Sequence, residues 1–317
     1  MYPLKPGMAR LSTIKPTAVH KSVLYCPACK NPLDQSDSGY VCQECSKVFR
    51  IIDGIPSLVD RRRAVDSFDA SAFEFLFEME QKHFWHVGRR EIILDVLRKN
   101  VSNLAQSRML EIGCGNGSVL AFLKRNGIEV EGGDIFMEGL AFCRQRVDSA
   151  PLYQLDVLAL PFHGEFDIIG LFDVLEHIAD DDRALVEIRQ ALKRNGMLLM
   201  TVPAYRFLWS YFDVCANHKR RYGKSELVAK LGQAGFTVRK VSYYMFFLFP
   251  LLAVIRLIGN VRHRRDGRKV SVDASLETKT VPVVNEVFLG LLRLERFLLR
   301  YFNLPFGTSL LVLAEKR

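Results

Sequence analysis

Apolar runs bounded by turn residues alternate with helical patterns between residues 86 and 244 of this 317-residue chain. The runs read RMLEIG, IEVEGGD, PLYQLD, FDIIGLFD, GMLLMTV and FTVRKVSYY, and SLLVLAEK follows near the C-terminus. Between the first five runs lie stretches with the helical period, such as SVLAFLKRN and DDRALVEIRQALKRN. Because strands separated by helices pair in parallel, this alternation predicts a doubly wound, Rossmann-like α/β fold with helices on both faces of the sheet.

On either side of this region, the composition and the periodicity of the sequence change several times. Prolines and weak periodicity mark the N-terminal end, four cysteines fall within twenty residues after it, and an aromatic-rich helical pattern, FEFLFEMEQKHFW, precedes the core. The predicted organisation is a flexible tail at 1–22, a cysteine module at 23–60, a linker and first helix at 61–85, an α/β core at 86–244, a helical insertion at 245–305 and a final strand at 306–317.

The insertion begins within a thirteen-residue apolar run from Tyr243 to Ile255, which is too short for a membrane span of about 20 residues. The basic stretch RHRRDGRK comes next, and then the amphipathic pattern VVNEVFLGLLRLERFLLRYF. Two interpretations stay open. The helices pack in the core or in a dimer contact, or they form an interfacial surface, since apolar faces beside arginines attract anionic lipid headgroups.

Composition indicates the charge of a binding partner and the cellular compartment of the protein. The formal net charge is +9, which favours an anionic partner such as nucleic acid, a membrane surface or a phosphorylated substrate. The N-terminal residues MYPLKPGMARLSTIKP lack the apolar region of a signal peptide. We therefore expect a cytoplasmic protein with reduced thiols, either free in the cytosol or peripheral on the cytosolic face of the membrane.

Cys26, Cys29, Cys42 and Cys45 form two C-x2-C pairs separated by twelve residues. Four thiolates at this spacing bind zinc tetrahedrally and let a module with little core fold around the metal. Because all four ligands are sulfur atoms, no coordination position stays open for catalysis. The pattern predicts a structural zinc site, with free thiols or redox chemistry as the alternative.

The stretch LEIGCGNGSVLAFLKRNG places glycines at 113, 115 and 117 between a predicted strand and a predicted helix. Glycines permit a sharp turn and let a ligand approach the backbone closely. A dinucleotide fingerprint needs a third spaced glycine where Ser118 stands, and a phosphate loop needs a Gly-Lys pair, whereas no lysine occurs before Lys124. These departures weaken both a dinucleotide and a nucleoside triphosphate as the ligand.

Carboxylates end three consecutive predicted strands, at Glu111, Asp134 and Asp156. A carboxylate beside the glycine loop repels phosphate and attracts a cation. An acid near the end of the second strand is where doubly wound folds bind ribose, and Asp156 is placed to accept the amine of adenine. S-adenosylmethionine, which carries adenosine, an ammonium group and a sulfonium but no phosphate, fits this set of residues.

With these residues, the region 86–244 resembles the class I S-adenosylmethionine-dependent methyltransferases. LEIGCGNG looks like their cofactor loop, GGDIF like their ribose motif and QLDVLALPF like their adenine motif, while FDIIGLFDVLEHI and LKRNGMLLMTVPA are similar to their fourth- and fifth-strand motifs. The resemblance implies a seven-stranded sheet whose last strand is antiparallel. It also implies cofactor contacts from these residues: Glu111, Gly113, Cys114, Gly115, Gly117, Asp134, Ile135, Asp156, Val157 and Asp173.

Two flanking regions carry further resemblances. Residues 24–60 look like the zinc-ribbon domain that activates RNA and protein methyltransferases and that also occurs fused to bacterial enzymes. The segments FWHVGRREII and FLWSYFDVCANHKRRYGKSEL, with the C-terminal helices, resemble a bacterial methyltransferase group associated with lipid- or polysaccharide-linked substrates.

Candidate acceptor-side chemistry lies in residues 203–224, after the fifth strand of the core, at the edge of the sheet where open α/β folds bind ligands. His218 is the preferred general base because its ordinary pKa is near neutral, although holding the loop in place is an equally simple role for it. His177 and Asp213 are the other catalytic candidates. Arginines in this segment suit a phosphate or carboxylate, and the predicted acceptor-binding residues are Tyr205, Trp209, Arg220, Arg221 and Tyr222.

The resulting hypothesis is an S-adenosylmethionine-dependent methyltransferase with an N-terminal zinc ribbon. It transfers the methyl group by direct displacement to a lipid-linked or amphipathic acceptor at the membrane surface. One alternative is an RNA or protein methyltransferase that uses the ribbon to bind its substrate or a partner. The other is a non-catalytic binding subunit with the same fold.

Overall fold

A computed structural model describes residues 23–59, 70–266 and 281–317 of the chain. The expected tail at 1–22 lies outside the described residues. So do the first part of the expected linker and the centre of the expected insertion, including all side chains of the basic stretch RHRRDGRK.

The cysteine module folds as a small antiparallel sheet, which we call the ribbon. Its strands pair in chain order and are β1 (Asp34–Ser36), β2 (Gly39–Val41), β3 (Val48–Ile52) and β4 (Ile55–Pro56). Two helices lead from the ribbon into the core, α1 (Ala70–Lys82) and α2 (Phe84–Asn100).

The core alternates strands and helices as the apolar pattern predicts. The strands are β5 (Arg108–Ile112), β6 (Glu129–Asp134), β7 (Leu152–Gln154), β8 (Phe166–Phe172), β9 (Leu192–Pro203), β10 (Phe236–Tyr244) and β11 (Ser309–Lys316). The helices between them are α3 (Ser118–Arg125), α4 (Met137–Arg146), α5 (Asp181–Ala191), α6 (Tyr211–Cys215), α7 (Lys224–Gln233), α8 (Phe249–Asp266) and α9 (Pro282–Leu299).

These seven strands form one sheet in the order β10-β11-β9-β8-β5-β6-β7. The five strands from β5 to β9 are parallel, whereas β11 runs antiparallel to both of its neighbours. This confirms the predicted seven-stranded sheet with an antiparallel last strand. Since β5 is an inner strand next to β8, where the strand order reverses, the loop that follows it lies at the part of the carboxyl edge where open α/β sheets bind ligands.

Alternate residues of β5 serve the two faces of the sheet. Met109 belongs to the core cluster that contains Ile92 of α2 and Leu120 of α3. Its neighbour Leu110 belongs to the opposite cluster, which contains Leu185 of α5. Strands covered on both faces need continuous apolar sequence rather than alternation, which explains the uninterrupted apolar runs.

The ribbon continues the sheet at its β7 edge. Ser57 pairs in parallel with Gln154, and the Leu58 amide donates to the Gln154 carbonyl at 2.8 Å. At the other side of the ribbon, Lys30 Nζ donates to Glu187 Oε2 of α5 at 2.6 Å. Apolar ribbon residues, including Leu24 and Leu58, belong to the same core cluster as the sheet. The ribbon is therefore built into the core and does not stand apart from it.

The helices of the predicted insertion are only partly core helices. Along α9, Leu292 packs so closely on α2 that a Cβ at Gly88 would lie 2.5 Å from its Cδ1, and Arg300 pairs with Asp95 at 2.8 Å. The outer faces of α8 and α9 nevertheless expose apolar side chains. Within the described ranges, no helix is long and apolar enough to cross a membrane.

Candidate cofactor and active site

The loop after β5 turns on three glycines with left-handed backbone. The φ angles of Gly113, Gly115 and Gly117 are 72°, 47° and 73°, a region that other residues rarely adopt. A Cβ at Gly113 would lie 2.3 Å from Cγ2 of Val174, whereas one at Gly115 would meet nothing within 4 Å. The loop is thus packed tightly at Gly113 and open toward a cavity at Gly115.

Glu111 supports this loop from behind. Its side chain is buried and accepts a hydrogen bond from the Leu120 amide in the first turn of α3. That turn begins at Gly117, which has no side chain to cap it, so the carboxyl of Glu111 supplies the missing cap. Burial raises the pKa of Glu111 to about 8. Glu111 does not line the cavity in front of the loop.

Asp134, at the end of β6, fixes the two backbone segments around it. Its Oδ2 accepts from the Gly115 amide at 2.8 Å and its Oδ1 accepts from the Phe136 amide at 2.9 Å. Asp156 similarly accepts from the Leu158 amide at 2.9 Å. Each carboxylate oxygen can accept further hydrogen bonds, so both side chains can still bind ligand hydroxyl or amine groups.

A cavity of about 350 Å³ lies in front of the loop. The predicted cofactor-binding residues that line it are Gly113, Gly115, Asp134, Ile135, Asp156, Val157 and Asp173, joined by His177. Two others, Cys114 and Gly117, pack inward against Cys143. The structure thus brings most of the predicted set together around one space.

Several lining residues were not singled out from the sequence. Helix α1 covers one side of the cavity with Phe73, Leu76 and Glu80, and the turn after α6 contributes Asn217 and Lys219. The helical pattern of α1 was visible in the sequence, but nothing local shows that it folds over the loop.

The far end of the cavity is held by a buried ion pair. Asp173 ends β8 with a left-handed backbone, φ 56°. Its carboxylate accepts from the Arg89 guanidinium of α2 and, at 3.0 Å, from the Thr201 hydroxyl of β9. These contacts connect α2 to the carboxyl ends of β8 and β9, where methyl transfer is predicted to occur.

Asp213 is the centre of the segment after β9. Its Oδ1 accepts from Arg221 Nε at 2.7 Å and from His218 Nδ1 at 2.8 Å, and its Oδ2 accepts from the Ser210 amide at 2.8 Å. Burial opposes its ionisation, but the hydrogen bonds from His218 and Arg221 lower the pKa of Asp213 to about 2. Asp213 is an ionised anchor of the loop and faces the interior, contrary to a direct catalytic contact.

The predicted acceptor-binding residues do not line the cavity. Arg221 and Tyr222 are buried, and the Tyr222 hydroxyl donates to Asp181 at 2.8 Å. Arg220 also pairs with Asp181 at 2.8 Å, Tyr205 stacks on Tyr243, and the Trp209 carbonyl accepts from Asn260. These contacts stabilise the loop, and acceptor binding by these residues stays a prediction. His218 is likewise absent from the lining, which fits its loop-holding interpretation better than that of general base.

The four ribbon cysteines converge on one point. Their sulfur atoms lie within 4.8 Å of one another, with Cys26–Cys45 at 3.6 Å and Cys29–Cys42 at 3.4 Å. Zinc–sulfur bonds of about 2.3 Å in a tetrahedron separate the sulfur atoms by about 3.8 Å. The cluster therefore fits a zinc ion, and its coordination sphere would be closed.

Part of the sequence that lines the cavity matches a known protein family. Residues 110–200, from β5 into β9, match the family described as a methyltransferase domain. This chain carries a methyltransferase domain. The ubiquinone biosynthesis O-methyltransferase of Rickettsia prowazekii is 24% identical over 135 residues, which cover 38% of this chain and 51% of that protein.

A second relative of the methyltransferase domain comes from Mycobacterium tuberculosis and is named, without a substrate, as an S-adenosylmethionine-dependent methyltransferase. It is 29% identical over 134 residues, 40% of this chain and 48% of the relative. The chain spans about half the length of these two relatives. The family and the relatives support S-adenosylmethionine as the ligand of the domain.

One solved structure extends the likeness beyond the methyltransferase domain. A chain in the Haloferax volcanii complex that contains the Trm112 methyltransferase activator aligns with a TM-score of 0.52 at 20% identity. The alignment covers 80% of this chain and 99% of that one. At this identity the likeness concerns the fold.

The cavity of the methyltransferase domain fits a cationic adenosine ligand on its own geometry. Its lining carries four carboxyl groups, of which Glu80 and Asp173 pair with Arg146 and Arg89, so that Asp134 and Asp156 remain against one lysine, Lys219. Asn116 Oδ1 is buried in this wall without a hydrogen-bond partner among the described residues. An excess of acceptors attracts ammonium and sulfonium groups and repels phosphate, as the glycine-loop analysis predicts.

Proposed function

We propose that this chain is an S-adenosylmethionine-dependent methyltransferase whose acceptor is lipid-linked or otherwise amphipathic and is methylated at the membrane surface. The acid-rich cavity around the glycine loop is the observation that carries the methyl transfer. In this proposal Asp134 binds the ribose, Asp156 binds the adenine amine, and Asp173 and His177 border the methyl end; all four residues line the cavity.

Methyl transfer by direct displacement requires the protein mainly to align the cosubstrate and the acceptor. The bound cosubstrate supplies a methyl carbon already activated by its sulfonium. The acceptor atom forms a bond to this carbon as the carbon–sulfur bond breaks, and the neutral thioether leaves. Orientation of the two reactants alone can contribute about 7–11 kcal/mol. The tight packing of Gly113 on Val174 and the Arg89–Asp173 pair provide that rigidity.

A general base is needed only if the acceptor is a hydroxyl or a protonated amine. His177 lines the cavity and His218 does not, so His177 is the histidine that an acceptor meets. Burial lowers the pKa of His177 to about 4, which keeps its imidazole neutral at physiological pH.

The outer faces of α8 and α9 support the amphipathic acceptor. Exposed apolar side chains recur every three or four residues on α8, at Leu251, Val254 and Ile258. A second stripe on α9 includes Val283 and Val287, which are 75% and 55% exposed. Apolar stripes on surface helices are the pattern of interfacial membrane binding.

A tritiated-methyl transfer assay on fractionated extract tests the acceptor class. Label in the lipid fraction supports the proposal, whereas label in RNA or protein favours the alternative in which the ribbon binds the substrate or a partner. A steep salt dependence of RNA affinity would also favour this alternative. If calorimetry detects no cosubstrate binding at millimolar concentration, the chain is a binding subunit that kept the fold.

Sedimentation with anionic vesicles tests the membrane part. The triple variant Leu251→Ser, Val254→Ser and Ile258→Ser should lose most of its vesicle binding, since it removes the α8 stripe. A matched control replaces two other exposed valines, Val48 of the ribbon and Val186 of α5, by serine. Failure of the wild-type protein to sediment would refute the membrane proposal and leave methyl transfer unaffected.

A further inference from the structure

The carboxyl group of a fully buried glutamate beside the cavity has no hydrogen-bond partner in the described part of the chain. Glu176 lies in the short 3₁₀ turn Leu175–His177 after β8 and is 0% exposed. Neither of its carboxylate oxygens has a partner among the described residues. A buried carboxyl without hydrogen bonds is costly whether it is ionised or protonated, so this position calls for a ligand that the protein itself does not provide.

Two histidines surround that carboxyl. The nearest ligand atoms of Glu176, His177 and His218 all lie within 4.8 Å of one another. The His218 Nε2 is 3.9 Å from Glu176 Oε1, too far for a hydrogen bond. The rings of the two histidines meet edge to face at 4.8 Å. The three groups thus converge without bonding to each other.

Hydrogen bonds to neighbouring groups orient both imidazoles. His218 Nδ1 lies 2.8 Å from Asp213 Oδ1. Both Asp213 oxygens accept from other N–H groups, of Arg221 and Ser210, so we assign the proton to Nδ1, and Nε2 presents its lone pair toward Glu176. His177 forms a hydrogen bond with the Asn217 backbone. An imidazole whose second nitrogen donates to a carboxylate or carbonyl is the usual arrangement for a metal ligand.

We propose that Glu176, His177 and His218 bind a divalent first-row transition metal ion at the edge of the cofactor cavity. One carboxylate with two imidazoles favours zinc, manganese, iron or cobalt over magnesium or calcium. Bonds of about 2.1 Å at tetrahedral angles separate ligand atoms by about 3.4 Å. Closing the 3.9 Å distance therefore needs a movement of about half an ångström.

The ion would face the cavity, because His177 is part of its lining. Three protein ligands leave at least one coordination position open, as in catalytic zinc sites. If the chain is the methyltransferase proposed above, that position takes an oxygen of the acceptor. Metal binding lowers the pKa of an acceptor hydroxyl; its proton passes to water, and the oxygen then attacks the methyl carbon as the carbon–sulfur bond breaks.

Metal counting on the full-length chain tests the site directly. The protein is dialysed with excess cobalt after the ribbon has been filled with zinc, and total metal per chain is measured by mass spectrometry. Two ions per chain are expected for the wild type and one for Glu176→Gln and His218→Ala. The matched control His163→Ala, which removes an exposed histidine elsewhere, should keep two. Cobalt in the second site should show weak absorption without the intense sulfur charge-transfer band of the ribbon.

Asp213→Asn probes the positioning role separately and should weaken cobalt affinity by about 10–100-fold. Retained zinc and retained binding of S-adenosylhomocysteine establish that each variant is folded. A single ion in the saturated wild type, or a second ion that persists in both ligand variants, would overturn the proposal. If the second ion binds but no cosubstrate does, the proposed function fails and the metal site stands.

Discussion

Replacement of Glu111 by glutamine tests whether the carboxyl behind the glycine loop acts as a neutral support. Glu111 is 3% exposed, and burial raises its pKa from 4.5 to about 8. Glutamine keeps the side-chain length and the acceptor oxygen for the Leu120 amide, but it does not ionise. The variant therefore removes the titration while largely keeping the cap of α3.

The direction in which the unfolding free energy changes with pH follows from proton binding. Between the two pKa values the folded protein keeps a proton on Glu111 that the unfolded chain has released. The stabilisation from this group is thus full below the unfolded pKa and is lost as the pH rises through the folded pKa. At about 1.4 kcal/mol per pKa unit, the wild type should lose about 2–3 kcal/mol of unfolding free energy relative to Glu111→Gln between pH 5.5 and 7.5.

Urea unfolding at several pH values measures this difference, with zinc present and no cosubstrate. The histidines titrate in both proteins, so their contribution cancels when the two curves are subtracted. Glu78→Gln, at an exposed position of α1, is the matched control and should give a flat difference. Parallel pH curves for the wild type and Glu111→Gln would refute the neutral-support argument.

Three further changes test other parts of the site. Gly113→Ala should weaken cosubstrate binding at least tenfold by calorimetry, because φ is 72° and the new Cβ meets Val174 at 2.3 Å; adding Val174→Ala should restore only part of the loss. Arg89→Leu should lower the unfolding free energy by about 3 kcal/mol in urea, since it leaves the Asp173 carboxylate without its ion partner, and a smaller loss in a double variant with Asp173→Asn would show the coupling. Cys26→Ser should abolish zinc binding by metal analysis and lower the melting temperature of the whole chain, whereas an unchanged melting temperature would show that the ribbon is not part of the core.

Local sequence was sufficient for the order of strands and for most of the cavity. The apolar runs marked all seven strands because each strand consists mainly of buried and half-buried residues, and Asp134 and Asp156 lie at or just after strand ends that the topology brings together. These features depend on residues that are close in sequence, so a periodic sequence pattern predicts them.

The partners of Arg221 and Tyr222 are distant in sequence, so sequence alone did not show that both side chains are buried. An arginine and a tyrosine after a strand have the chemistry of ligand binding, but whether they face a ligand depends on Asp213 and Asp181, which bury them. For the same reason nothing local connected Gly88 with Leu292 of α9. Packing between remote segments decides these positions.

The ribbon and the cofactor cavity are connected through Gln154 of β7. Ser57 Oγ of the ribbon donates to Gln154 Oε1 at 2.6 Å, and Gln154 Nε2 donates to the Ile135 carbonyl at 3.0 Å, directly after Asp134. Strand β7 has only three residues and lies at the edge of the sheet, so pairing with the ribbon protects an edge that would otherwise be open. Because the strand that the ribbon holds also positions the turn after Asp134, loss of zinc should weaken cosubstrate binding as well as stability. A ribbon within the same chain supplies this support at a fixed one-to-one ratio.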